Sequence, residues 1–241
     1  MSSKSEVGHN KNVANYKAAY TILEEMGSLY NPTNTQILLT NLEPLRTTLT
    51  GQIDQLDASL AEYRADVADR KNAIALMDKK ATKINQYFHS LDVPENEKQN
   101  IAAQVKLIRG DSKKKTAPPP NEEEENHIST SRQSFDNKVA NFNTLIAQLE
   151  QFSEYAPNED EIKLATLRSY TEALETLNER VHVSGDGLIT ARAARNNSLY
   201  YGTPNVLALI KNIKAYVRSL GLAGEPYYKA LVRLKFSKPI K

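Results

Sequence analysis

Residues 40–91 read TNLEPLRTTLTGQIDQLDASLAEYRADVADRKNAIALMDKKATKINQYFHSL. Positions 42, 45, 49, 53, 56, 60, 63, 67, 70, 74, 77, 81, 84, 88 and 91 hold Leu, Leu, Leu, Ile, Leu, Leu, Tyr, Val, Arg, Ile, Met, Ala, Ile, Phe and Leu. The steps alternate three and four, with one extra step of four between 49 and 53. That is a heptad seam with a single slip, and it predicts one amphipathic helix. Thr40 and Glu43 have capping-box spacing, and Pro44 is expected in the first turn, where proline is tolerated. At 1.5 Å per residue such a helix would be about 75–80 Å long.

The same layout recurs downstream. Val13-Ala14-Asn15-Tyr16 matches Val139-Ala140-Asn141-Phe142, and Tyr30-Asn31-Pro32 matches Tyr155-Ala156-Pro157. Ile37-Leu38-Leu39 before Leu42 matches Ile162-Lys163-Leu164 before Leu167. Arg70-Lys71-Asn72 matches Arg195-Asn196-Asn197, Tyr87 matches Tyr216, and Val105-Lys106-Leu107 matches Val232-Arg233-Leu234. The order is kept while the offset drifts from 125 to 129, about one helical turn. This reads as a tandem duplication.

The second seam runs 167, 170, 174, 177, 181, 184, 188, 191 and 195. Gly185 and Gly187 weaken it, and Gly202-Thr203-Pro204 should break it before Val206, Ile210, Ile213, Val217 and Leu220 resume. Short helices are expected at about 11–29 and 134–153, turned into the long ones at the Tyr-x-Pro corners. Short terminal helices should start near Pro94 and Pro226, both as first-turn prolines. The fold expected is all-α: an elongated helical bundle of two tandem repeats, pairing through their seams. Repeat 1 takes 1–110 and repeat 2 takes 131–241. Residues 111–130, with a Lys triplet, a Pro triplet and a Glu quartet, form a charged, Pro-rich flexible linker.

Composition excludes several chemistries. The 241 residues contain no Cys, which removes disulfides, thiolate metal sites and Cys nucleophiles together. No apolar run reaches the roughly 18 residues of a membrane span, and the first ten residues lack a secretory apolar core. A cytoplasmic location is expected. No phosphate loop, dinucleotide fingerprint or nucleophile elbow occurs. Val183–Gly187 is Gly-rich but short and is expected as an irregularity within a helix.

Charge is uneven. From Leu188 onward ten basic residues face one acid, Glu225, a formal +9; with a net +2, residues 1–187 carry −7. Arg192, Lys211, Lys214, Arg218, Lys229, Arg233, Lys235, Lys238 and Lys241 make up a candidate basic interaction surface, for self-association or for a nucleic acid or acidic membrane surface. Tyr200-Tyr201 and Tyr227-Tyr228 lie among these cations, where rings can stack bases.

Arg70 and Arg195 occupy equivalent seam positions, each followed two residues later by an Asn, Asn72 and Asn197. A guanidinium in an apolar seam needs a carboxylate, carbonyls or an anion. The four residues read as an anion site, as a structural polar layer with Asp66 or Asp69 as partners, or as arginines snorkelling at a seam edge. Glu124-x-x-His127 and Glu179-x-x-His182 have a di-metal spacing, but the necessary second pair and core carboxylates are missing. No catalytic residue, cofactor or metal site is assigned.

The A-N-Y/F, Y-x-P and I-x-L elements, repeated around the linker and followed by the basic V-R-L-K-F tail at 232–236, resemble an uncharacterised family of bacterial tandem-repeat helical proteins. The resemblance covers nearly the whole chain and implies no activity, cofactor or site residue. The function expected is a non-enzymatic structural or protein-interaction bundle. The alternative is an anion-binding module using 188–241.

Overall fold

The computed structural model describes residues 8–110 and 134–238. All regular elements there are helical: α1 His9–Glu25, α2 Leu39–His89, α3 Glu95–Arg109, α4 Phe135–Leu149, α5 Leu164–Asn196, α6 Val206–Ser219 and α7 Glu225–Arg233. The linker expected at 111–130, the Glu124/His127 pair and Lys241 lie outside the described residues. No helix among them is long and apolar enough to cross a membrane.

Helix α2 is continuous from Leu39, one residue before the expected start. Every predicted position from 42 to 91 is buried or half-buried, and so is every one from 167 to 195 and from 206 to 220. Local details differ. Thr40 is not the cap, because the 3₁₀ turn Thr35–Ile37 feeds α2 through an extended Leu38, whose carbonyl already accepts the Asn41 and Leu42 amides. Pro44 therefore lies inside the helix rather than in its first turn. Gly185 and Gly187 do not interrupt α5, which stays regular to Asn196. The break comes at a π turn, Asn197–Tyr201, and the Gly202–Asn205 segment that precedes α6. Pro94 sits one residue outside α3, whereas Pro226 is in the first turn of α7.

The chain divides into two compact units, and each draws on both halves of the sequence. One comprises 1–62 with 186–241; the other comprises 63–185. The expected boundaries at 110 and 131 fall within the range of the second unit rather than between the two. The reason is helix length: α2 and α5 each supply residues to both units.

In the first unit α1, the start of α2, α6 and α7 bury Tyr16, Leu23, Ile37, Leu42, Leu49, Val206, Ile213, Val217 and Leu231 around one core. In the second, the end of α2 with α3, α4 and the start of α5 buries Met77, Ile84, Phe88, Ile101, Ile108, Phe142, Leu145 and Leu167.

The two Tyr-x-Pro corners are built alike. Tyr30 donates its hydroxyl to the Ile37 carbonyl at 2.6 Å, and Tyr155 donates to Ile162 at 2.8 Å. Tyr30 meets Tyr216 edge-on, with centroids 5.4 Å apart; Tyr155 meets Tyr87 in the same way at 5.4 Å. Each hydroxyl thus satisfies a carbonyl of the 3₁₀ turn just before a long helix starts.

Candidate functional site

The seam arginines have separate surroundings. Arg70, in the second unit, is half-buried, with its guanidinium carbon 4.2 Å from the centroid of the Phe135 ring. Its Nε is buried without a hydrogen-bond partner. Asn72 is exposed. The expected partners Asp66 and Asp69 are taken by Arg180 of α5, which bonds the buried Asp66 and lies 3.5 Å from Asp69. Arg180 is placed for this by the register of the two long helices, which is a tertiary property.

Arg195, near the end of α5 in the first unit, is only 8% exposed. Its Nε and Nη2 donate to Oδ1 of the neighbouring Asn196 at 3.2 and 2.9 Å, and among the described residues no carboxylate pairs with it. Asn197 is exposed and opens the π turn, its carbonyl accepting the Gly202 amide at 2.7 Å. That turn presents Tyr200 inward, where its hydroxyl meets Nδ1 of His9 at 2.9 Å and accepts from Nδ2 of Asn12 at 2.9 Å. Burial lowers the proton affinity of Arg195; Tyr200 opposes this, and the Arg192 charge adds to it. Burial first, then the Arg195 charge, hold His9 below the usual imidazole range. Burial raises the Tyr200 hydroxyl, while the Asn12 hydrogen bond and Arg195 pull it down. The cluster His9, Asn12, Arg192, Arg195 and Tyr200 is therefore electropositive, with no acid in it.

Sequence reasoning found Arg195 and Arg192 but missed His9 and Asn12. A signal was present: Asn12 and Asn15 stand on the inward face of α1, four residues before Tyr16 and Ala19. Their partner is the end of the described chain. Asn12 Nδ2 donates to the Ser237 carbonyl at 2.7 Å while its Oδ1 accepts the Ser237 amide at 3.2 Å. Asn15 holds the Lys235 carbonyl at 2.6 Å, and Lys214 holds that of Leu234 at 3.1 Å. Segment 234–238 is thus strapped across α1 and α6 through its backbone.

The strap sorts the candidate basic surface. Lys214 is spent on it and lies 5.6 Å from the Phe236 ring, and burial lowers its proton affinity. Lys229 pairs with Glu225 at 2.7 Å. Arg218 lies 5.8 Å from Tyr228, and Lys238 4.4 Å from Tyr201. Arg192, Lys211, Arg233 and Lys235 are exposed. By sequence the first unit holds fourteen Lys and Arg against nine Asp and Glu, a formal +5, and the second −3.

In the second unit a groove of about 440 Å³ between α3 and α4 is lined by Ile101, Gln104, Leu107, Gln148 and Phe152. Another, of about 370 Å³ between α4 and α5, brings Asp136, Glu175 and Asn178 to Glu179 and His182. Among the described residues, no three His, Asp or Glu side chains are placed to hold one metal ion.

Comparison with known proteins adds no relative: no family model, no curated protein and no solved structure matches the chain.

Proposed function

We propose that the chain is a non-enzymatic helical module that works by holding an acidic protein partner, and that it arose by duplication of one helical unit. The paired corners, with equivalent tyrosine-to-carbonyl bonds and equivalent edge-on rings, support the duplication. One observation carries the functional reading: among the described residues Arg192, Lys211, Arg233 and Lys235 are exposed cations without an ion pair, and Glu225, the one acid from 188 onward, is engaged by Lys229. Uncompensated charge of this kind steers a partner of opposite sign and speeds its encounter.

The test is quantitative affinity purification from native cells with the wild type and with a Lys211→Glu, Arg233→Glu, Lys235→Glu variant. An acidic protein lost from the variant's eluate, and recovered as a salt-sensitive complex from pure components, is expected. Identical capture by both proteins would sink the reading. A second reading, binding to nucleic acid or an acidic membrane surface, draws on the rings beside Lys238 and Arg218. It requires binding to DNA, RNA or anionic vesicles that falls steeply with salt.

A further inference from the structure

Among the described residues, Arg195 is a buried cation with no carboxylate against it. It is more than nine-tenths buried, and a buried cation without a counter-charge is strongly unfavourable. Two of its five N–H donors reach a neutral amide oxygen. Among the described residues its Nη1 has no hydrogen-bond partner. The groups around it add positive character or hydrogen bonds, not negative charge. Arg192 stands three residues earlier on α5, at the exposed edge beside it, and His9 and Tyr200 come from α1 and the π turn.

We propose that Arg195, with Arg192, His9 and Tyr200, forms a binding site for a phosphate group. The guanidinium fork matches two oxygens of a phosphate, and such charge-assisted pairs are among the stronger hydrogen bonds. A phosphate dianion also balances the two arginine charges, which a carboxylate does not. Asn196 and Asn12 place the fork and the phenol and supply no charge of their own. The site goes beyond the partner reading: it takes one small anion, and capture of an acidic protein can fail while it stands.

Free phosphate and a phosphate monoester share this chemistry, so both serve as probes. In the full-length protein, the His9 ring and the Arg195 Nε–H are followed by NMR at pH 7 during titration with inorganic phosphate, with glycerol 3-phosphate, and with sodium chloride at matched ionic strength. Saturable shifts of both signals with either phosphate probe, and none with chloride, are expected. Arg195→Gln should weaken binding by about tenfold or more, and Arg192→Gln by a smaller factor. Circular dichroism checks that each variant is folded. If Arg195→Gln fails to fold, Arg195→Lys and Arg192→Gln decide, both expected to bind more weakly than wild type. Shifts that track ionic strength alone, or folded variants that bind like wild type, overturn the proposal.

Discussion

At the residue scale, two glycines with opposite surroundings give opposite expectations. Gly187 is exposed within α5, and a Cβ built there meets nothing within 4 Å. Gly187→Ala should raise stability by about 0.5–1 kcal/mol, because alanine loses less backbone entropy in a helix. Gly224 is buried at the start of α7, where a Cβ would strike the Val217 carbonyl and come within 2.8 Å of Leu220 Cβ. Gly224→Ala should therefore cost roughly 1–3 kcal/mol by overpacking. Denaturant midpoints of the two variants settle both. His9 gives a pH effect of definite sign. Its folded proton affinity is lowered, so as pH falls through the ordinary imidazole range, about 6.5, the unfolded chain takes up a proton first. Stability should fall as pH drops through 6.5 toward the folded value, and thermal melts of His9→Gln should show a weaker dependence over that interval.

At the element scale, tyrosine hydroxyls bonded to backbone carbonyls tie helices together. Tyr16 donates to Leu42 at 3.0 Å and Tyr170 to Ala73 at 2.6 Å, besides the corner bonds of Tyr30 and Tyr155. All four are raised above the usual phenol range by burial first, and then by neighbours such as Tyr20, Tyr216, Tyr87 and Asp78. Each must keep its proton to donate. Above pH 10 the unfolded chain ionises first, so stability should fall as pH rises from 10. An alkaline melt should show this loss, reduced in Tyr30→Phe and Tyr155→Phe. At neutral pH each of these two variants should cost about 1 kcal/mol or slightly more, with similar values for the pair. The strap behaves as an element too. Asn12→Ala leaves the backbone N–H and C=O of Ser237 unmet and takes a donor from the Tyr200 hydroxyl oxygen, and should cost about 1–3 kcal/mol in a chemical-denaturation assay.

At the scale of the whole molecule, the two compact units share both halves of the chain, so neither half contains a complete core. Fragments 1–110 and 134–241 should be poorly folded alone and gain cooperative helical structure when mixed. Two fragments that each melt cooperatively at full helicity would contradict this. Much of the fold was legible beforehand, because helix formation and the inward face depend on the spacing of apolar residues along one chain. That is why positions 42 to 91 all turn inward and why the Tyr-x-Pro corners fall where expected. The capping-box reading of Thr40 failed because a 3₁₀ turn held by Tyr30 starts the helix earlier, a contact that local spacing does not encode. Arg70 and Arg195 were legible as anomalies, but not their surroundings: Arg180 reaches Asp66 across 114 residues, and Tyr200 reaches Asn12 across 188. The sequence by itself determined where the helices run, which face of each is apolar and where charge accumulates, since these follow from local propensity and periodicity. Only the tertiary structure decided which buried polar groups are paired and which, like Arg195, are left without a counter-charge, since that depends on the register in which distant segments meet.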